Sequence, residues 1–182
     1  RSLSACEGAL LVIDATQGVQ AQTLANGYLA IDNHLKLLPV INKIDLPSSD
    51  VERCQLELID TLQLDPDSCV MVSAKTGQGV DSLLEHIVND LPAPSGDPNK
   101  PLKALIFDSK FDPYRGVVVL IRVFDGQVSV GSKIRLRSTN QVFQVTELGI
   151  RTPKENKVSS LKAGEVGFLA ASIKNIKDIQ VG

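Results

Sequence analysis

The chain of 182 residues is 43% hydrophobic and 22% charged with a formal net charge of −2, the profile of a globular protein with one large or two modest domains. No apolar run approaches the roughly 20 residues of a membrane-spanning helix, and no signal peptide is visible. Cys6, Cys54 and Cys69 stand singly in apolar surroundings; lacking metal-ligand spacing, they argue against a disulfide scaffold or zinc site and predict buried free thiols in a reducing compartment.

Taken in order, Gly8–Asp14 (GALLVID) is a continuous apolar run of strand length, the pattern of a parallel strand covered on both faces. Residues 20–34 suit a helix with Leu24, Tyr28, Leu29 and Ile31 as its apolar set and His34 near its end. A second buried strand covers 35–41. Pro39 argues against a central position for it unless the missing N–H faces no ladder partner. Ser49 and Glu52 have the spacing of a capping box, and Val51, Cys54, Leu58, Ile59 and Leu62 recur at helical spacing behind them. A short strand at Cys69–Val72 leads through residues 73–79 into a third helix striped with Val80, Leu83, Leu84, Ile87, Val88 and Leu91, on which His86 is a surface residue. Strand and helix alternating three times is the doubly wound α/β rhythm.

The chemistry gathers where two of these strands end. Val40-Ile41 runs into Asn42-Lys43-Ile44-Asp45, which sets an amide, a cationic stem and a carboxylate at the carboxyl end of a parallel sheet, where open α/β folds bind ligands. Asp45 can accept two parallel hydrogen bonds from the ring N–H and exocyclic amine of guanine, a pairing that adenine's opposite polarity denies. Asn42 can bond the base or tie neighbouring loops together, the stem of Lys43 can lie over one face of the ring, and Ile44 is an apolar spacer. About thirty residues on, the next strand runs into Ser73-Ala74-Lys75, where a backbone N–H can meet the guanine carbonyl and Lys75 can cover the other edge. Alone, either loop is an ordinary turn; at successive strand ends they form a guanine site.

Residues 92–101 (PAPSGDPNKP) carry four prolines and read as a stiff linker between an α/β part, residues 1–91, and a second part, residues 102–182. Beyond the linker the period changes to two. Residues 102–107 and 117–124 are rich in β-branched residues, Asp125-Gly126 is a hairpin signal, and further strands fall at 133–137, 142–150 and 166–173. Short strands at this spacing predict a small closed β-barrel. Charge divides at the same place: residues 1–101 hold 14 Asp and Glu against 6 Lys and Arg, while residues 102–182 hold 7 against 13. The second half is therefore net basic and suited to a polyanion such as RNA. Strict alternation puts Lys133, Arg135 and Arg137 on one side of their strand, opposite Ile134 and Leu136, as candidate phosphate contacts. Phe107, Phe111, Tyr114, Phe124, Phe143 and Phe168 fit core packing better than base stacking, and Asp108 and Asp112 suit turn roles.

These residues carry a resemblance. Residues 5–15 (ACEGALLVIDA), Gln17-Gly18-Val19, Gln22-Thr23-Leu24-Ala25-Asn26, Asn42-Lys43-Ile44-Asp45-Leu46-Pro47, Ser73-Ala74-Lys75-Thr76-Gly77, Asp108-Ser109, Tyr114-Arg115-Gly116-Val117-Val118 and Gly164-Glu165-Val166-Gly167 are similar to the translational GTPase family, in its LepA or elongation factor 4 branch. The resemblance spans the chain. It implies part of a P-loop GTPase domain with three parallel strands and three helices, followed by a β-barrel that meets small-subunit ribosomal RNA. It further implies GTP or GDP as ligand, Mg²⁺ in the intact protein, hydrolysis coupled to ribosome binding, and an effect on translocation or fidelity under stress. A cytoplasmic location with some peripheral membrane contact is implied too; DNA is not an expected partner. The sequence has no Gly-x-x-x-x-Gly-Lys-Ser/Thr loop, switch threonine or Asp-x-x-Gly segment before its first strand. The resemblance places these upstream of Arg1. An internal fragment is expected, inactive alone and prone to self-association through an unpaired strand edge. A non-catalytic RNA-binding or ribosome-docking module, or another translational GTPase such as elongation factor G, are the alternative readings.

Overall fold

The computed structural model describes residues 2–173, 179 and 181. Two compact units divide the chain, one formed by residues 6–93 and the other by residues 94 onward together with the short 3-10 turn Ser2–Ala5.

The first unit alternates β1 (Gly8–Asp14), α1 (Ala21–Asp32), β2 (Lys36–Asn42), α2 (Val51–Leu62), β3 (Val70–Met71) and α3 (Val80–Asp90). The sheet is parallel in the order β1-β2-β3. Its strand that carries Pro39 is central, and the direction of the ladder bonds explains how. Lys36 N donates to Glu7 O and Asn42 O accepts from Ala15 N, so even residues of β2 face β1; Ile41 O accepts from Val72 N, so odd residues face β3. Pro39 thus turns its absent N–H toward β3, whose pairing starts only at Val40 and Val70. No ladder bond is lost.

Helices cover both faces. Leu11, Ile13, Ile41 and Cys69 pack with Cys54, Leu58 and Leu62 of α2, while Leu38, Val40, Val70 and Val72 pack with Leu83, Ile87 and Leu91 on the α3 side. Leu58 has no exposed surface, a burial that contributes about 1.5–3 kcal/mol. The expectation that β1 is covered on both faces fails. Leu10 and Val12 are 39% and 54% exposed, because the cluster beneath α3 draws on β2 and β3 and leaves this face of β1 bare. On α1 the expected apolar set divides: Leu24 packs against the core, and the other three lie outward. Tyr28, Leu29 and Ile31 are exposed, and the buried positions are Gly27 and Ala30. A Cβ on Gly27 would stand 2.9 Å from Leu62 Cδ1, so the small residue is what lets α2 close on α1. The cap of α2 is Asp50, whose carboxylate accepts from Arg53 N at 3.0 Å, and not Ser49, whose hydroxyl donates to Ile44 O. Such a cap stabilises a helix by about 1 kcal/mol. Cys54 and Cys69 are buried free thiols, whereas Cys6 is exposed.

The second unit holds β4 (Lys103–Asp112), β5 (Gly116–Asp125), β6 (Gln127–Ser129), β7 (Lys133–Arg135), β8 (Val142–Gln144), β9 (Glu147–Arg151), β10 (Glu155–Lys157), β11 (Ser160–Lys162) and β12 (Val166–Ala170). Among the described residues these form an antiparallel sheet, β10-β9-β12-β5-β4, and two ribbons, β11-β6 and β7-β8. One core joins sheet and ribbons, with Val117, Val119 and Ile121 of β5 against Val128, Leu148, Leu161 and Leu169. Two turns differ from expectation. Asp125-Gly126 does not close a hairpin, since β6 leaves β5 to pair with β11, and Gly126 N instead donates to Asp97 O of the proline-rich stretch. The run 142–150 is two strands. At Val145 and Thr146 the backbone transfers its bonds from Ser132 to Ala170 and so passes from the β7 ribbon to the sheet.

Candidate guanine-nucleotide site

The polar loops leave neighbouring strand ends. Asp14 is in register with Asn42, and Val72 N bonds Ile41 O one step beyond the β2–β3 pair, so Asp14, residues 42–45 and residues 73–75 emerge side by side. Asn42 joins the two motif loops, its Oδ1 accepting from Lys43 N at 2.8 Å and from Ala74 N at 3.0 Å. Ile44 N adds a backbone bond to Val72 O, and Ile44 packs against the core beneath.

Ser73 is the hub of the second loop. It has no exposed surface, and its Oγ donates to Asp45 Oδ1 at 2.7 Å while accepting from Thr76 N at 3.2 Å. That bond fixes the carboxylate through one oxygen, and the other has no partner among the described residues. The loop closes through Ser73 N to Gln78 O and Gly77 N to Ser73 O, and reaches α3 at Gly79. Gly79 has φ +74, and a Cβ there would collide with the Met71 carbonyl. Only glycine brings the helix back this tightly.

Lys43 has φ +67, a left-handed conformation that costs a non-glycine residue about 1–2 kcal/mol and is held by the Asn42 bond to its N–H. Its Nζ lies 2.6 Å from Asp14 Oδ2. Asp14 also accepts from Thr16 N and Thr16 Oγ1, and the Lys43 bond followed by those from Thr16 lowers its pKa to about 2. Anchored in this way, the aliphatic stem of Lys43 borders a cavity of about 250 Å³ with Asn42, Asp45, Leu46, Ala74 and Lys75. The volume lies below that of sites enclosing whole drug-sized ligands, and suits a ring. The cavity thus brings together the Asp45 carboxylate, the Asn42 carboxamide and apolar walls.

All seven motif residues thus occupy two adjoining loops, and six of the side chains or backbones touch the cavity or its hydrogen bonds. Two contributors were outside the motif reading: Asp14, which anchors Lys43, and the hydroxyl of Ser73, which orients Asp45. The position of Asp14 at the end of the adjacent strand is the signal that finds it. In the other unit, Lys133, Arg135 and Arg137 are exposed and Leu136 is buried, so the alternation holds. Phe107 and Phe168 are buried, but Phe111 and Tyr114 are exposed at the β4–β5 turn, contrary to core packing. Asp112 accepts from Tyr114 N and Arg115 N in that turn.

Comparison with known proteins gives concordant results. A family profile described as "Elongation factor Tu GTP binding domain" matches residues 1–93, and one described as "Elongation factor Tu domain 2" matches residues 116–182. The chain is 59% identical to "Elongation factor 4" of Geobacillus thermodenitrificans and 56% identical to "Elongation factor 4" of Aquifex aeolicus, each over all 182 residues and over 30% of the relative's length. It therefore spans under a third of those relatives. Among solved structures, a bacterial selenocysteine-specific elongation factor EF-Sec superposes with TM-score 0.75 at 23% identity, over 99% of this chain and 31% of that one. The elongation factor SelB of Methanococcus maripaludis does so with TM-score 0.77 at 24% identity, over 97% and 38%. At such identity these two show the fold alone. With the GTP-binding profile on its first half and the domain 2 profile on its second, the chain belongs to the translational GTPase family.

Proposed function

We propose that this chain supplies the guanine-recognition half of a ribosome-associated GTPase resembling elongation factor 4. The observation that carries the reading is the convergence of Asn42, Asp45 and the Ser73-Ala74 loop, bonded to one another, around a ring-sized cavity at the ends of β2 and β3. In this reading Asp45 accepts from the ring N–H and exocyclic amine, Lys43 and Lys75 flank the ring, and Asn42 locks the loops. Bound GTP would supply the phosphoryl group that the whole protein transfers to water. The residues here bind and orient the base. The phosphate grip, Mg²⁺ and attacking water are assigned to other segments of the protein, and this chain alone is expected to be inactive and a weak nucleotide binder.

The same reading gives the β unit, closed as a barrel, to small-subunit ribosomal RNA, through Lys133, Arg135 and Arg137. It places the whole protein in the cytoplasm with a peripheral membrane-bound fraction, acting on translocation or fidelity under stress. The open edge of β1 and its exposed Leu10 and Val12 are the expected seat of further strands of the GTPase domain, and of self-association when this chain is studied alone. Light scattering across concentration checks the last point; a monodisperse monomer contradicts it. The direct test of guanine recognition is competition for a fluorescent GDP analogue on the full-length protein. GDP should compete best, IDP, which lacks the exocyclic amine, about tenfold or more weaker, and ADP not at all. Equal competition by IDP removes Asp45 from the assigned role.

A further inference from the structure

The β unit carries a cavity of its own. Two adjoining recesses of about 420 and 320 Å³ share Lys103, Ala104 and Ile106 of β4 with Arg135, Leu136 and Arg137 at the end of β7. The accessible floor of the larger is apolar, formed by Leu102, Ile106 and Ile134 over buried core side chains such as Val119 and Ile121. Its rim is cationic. Lys103, Lys133, Arg135 and Arg137 are all exposed, and none makes an ion pair with a described carboxylate. This is not a general property of the unit, because Lys110, Arg115, Arg151 and Lys157 all hold Asp112, Glu147 or Glu155.

From these features we infer that the recess between β4 and β7 binds single-stranded RNA, seating one unstacked base on the apolar floor while the flanking phosphates run along the cationic rim. Alternate residues of an extended strand stand about 6.6 Å apart, so Lys133 and Arg135 of β7 repeat like successive phosphates of an extended strand, and Arg137 follows in the turn beyond β7. Lys103 faces them from the other wall. A duplex cannot use the site, since its bases are stacked inside the helix, whereas loops and bulges can present one. The inference rests on the RNA-facing reading of the β unit and adds to it a base-dependent component at a defined place.

Ala104 offers a clean probe. It lines both recesses and its side chain is exposed, so Ala104→Leu fills the site without entering the core. The experiment is fluorescence anisotropy of the full chain with labelled A12 RNA, with a 12-mer abasic ribose-phosphate strand and with a blunt RNA duplex, at two or more salt concentrations. A12 should bind at least tenfold tighter than the abasic strand. Ala104→Leu should abolish that difference and leave abasic binding unchanged. The triple variant Lys133→Gln, Arg135→Gln, Arg137→Gln should weaken both strands and lower the slope of log K against log salt by about 2, near 0.7 for each lost phosphate contact. Equal binding of A12 and the abasic strand with the slope retained overturns the base recess while leaving phosphate contact to the RNA reading. Failure of both strands to bind overturns both, and preference for phosphatidylglycerol vesicles over A12 assigns the recess to lipid and overturns the inference. Circular dichroism of each variant confirms that the fold is intact.

Discussion

The guanine loops and the β7 edge both display polar side chains, and they differ in what those side chains already hold. In the loops the orienting groups are held: Asn42 by Lys43 and Ala74, one oxygen of Asp45 by Ser73, and Lys43 by Asp14, which leaves the other oxygen of Asp45 without a described partner. Along β7, Lys133 and Arg135 reach into solvent without a described carboxylate. The first arrangement is built for a ligand read by donor and acceptor geometry, where orientation must exist before binding so that ordering cost is low. The second suits a polyanion, where long-range attraction matters more than alignment. Net charge alone does not separate these cases. The Arg115 cluster lies in the same basic half, yet Arg115 donates to Asp112, Glu147 and Glu155 at once and lies 5.6 Å over the Phe168 ring, so its charge is spent internally.

That contrast can be attacked at several points, the largest effect first. Asp45→Asn in the full-length protein exchanges an acceptor for a donor facing the guanine donors. Losing a charge-assisted bond costs about 1.5–3 kcal/mol, or roughly tenfold to a hundredfold in GDP affinity, read by calorimetry. Arg115→Leu removes the ion pair of Asp112 and one of the partners of Glu147 and Glu155, which keep Lys157 and Lys110 with Arg151, and should cost about 1–2 kcal/mol of stability after solvent screening, read as a lower urea midpoint, with RNA and GDP affinities unchanged. Ser73→Ala removes the hydroxyl that orients Asp45 and should weaken GDP severalfold, about 1 kcal/mol. It should spare RNA binding, which separates the two sites.

The smallest effect is in pH. Bonds from Arg115 first, then Lys110 and Arg151, lower the Glu155 pKa from 4.5 to about 2. A depressed folded pKa means the stabilisation is complete above the unfolded value and is lost as pH falls through the folded one. Stability should therefore drop between about pH 4.5 and 2 by an amount that Glu155→Gln removes. Urea midpoints at pH 5, 3.5 and 2.5 check this, and parallel curves for the two proteins would exclude the network as its source.

Much of the α/β unit was legible because its signals are local. Periodicity fixed α2 and α3, and the Asn-Lys-x-Asp and Ser-Ala-Lys loops sit at strand ends because a buried strand must release its polar residues there. Pro39 was legible as a problem but not as a solution, since ladder direction depends on which strand lies on each side. Coverage of Leu10 and Val12, and the outward turn of Tyr28, Leu29 and Ile31, depend on neighbours that periodicity does not contain. In the β unit the strands were legible but their partners were not: Asp125-Gly126 has hairpin chemistry, yet Gln127–Ser129 pairs with Ser160–Lys162 more than thirty residues away. The Ser73 hydroxyl and Asp14 escaped for the same reason, because hydrogen bonds between loops are properties of register. Unpaired cations are likewise invisible until every carboxylate has been placed.

The central claim is that Asp45, held by Ser73, reads the donor pair of guanine. Calorimetric titration of the full-length protein and its Asp45→Asn variant with GDP and with xanthosine diphosphate tests it most directly, because xanthine carries a carbonyl where guanine carries the exocyclic amine. The account predicts that the variant loses GDP affinity by tenfold or more and gains xanthosine diphosphate affinity through its new amide donor. Unchanged GDP affinity in a folded variant, with no gain for xanthosine diphosphate, would contradict it.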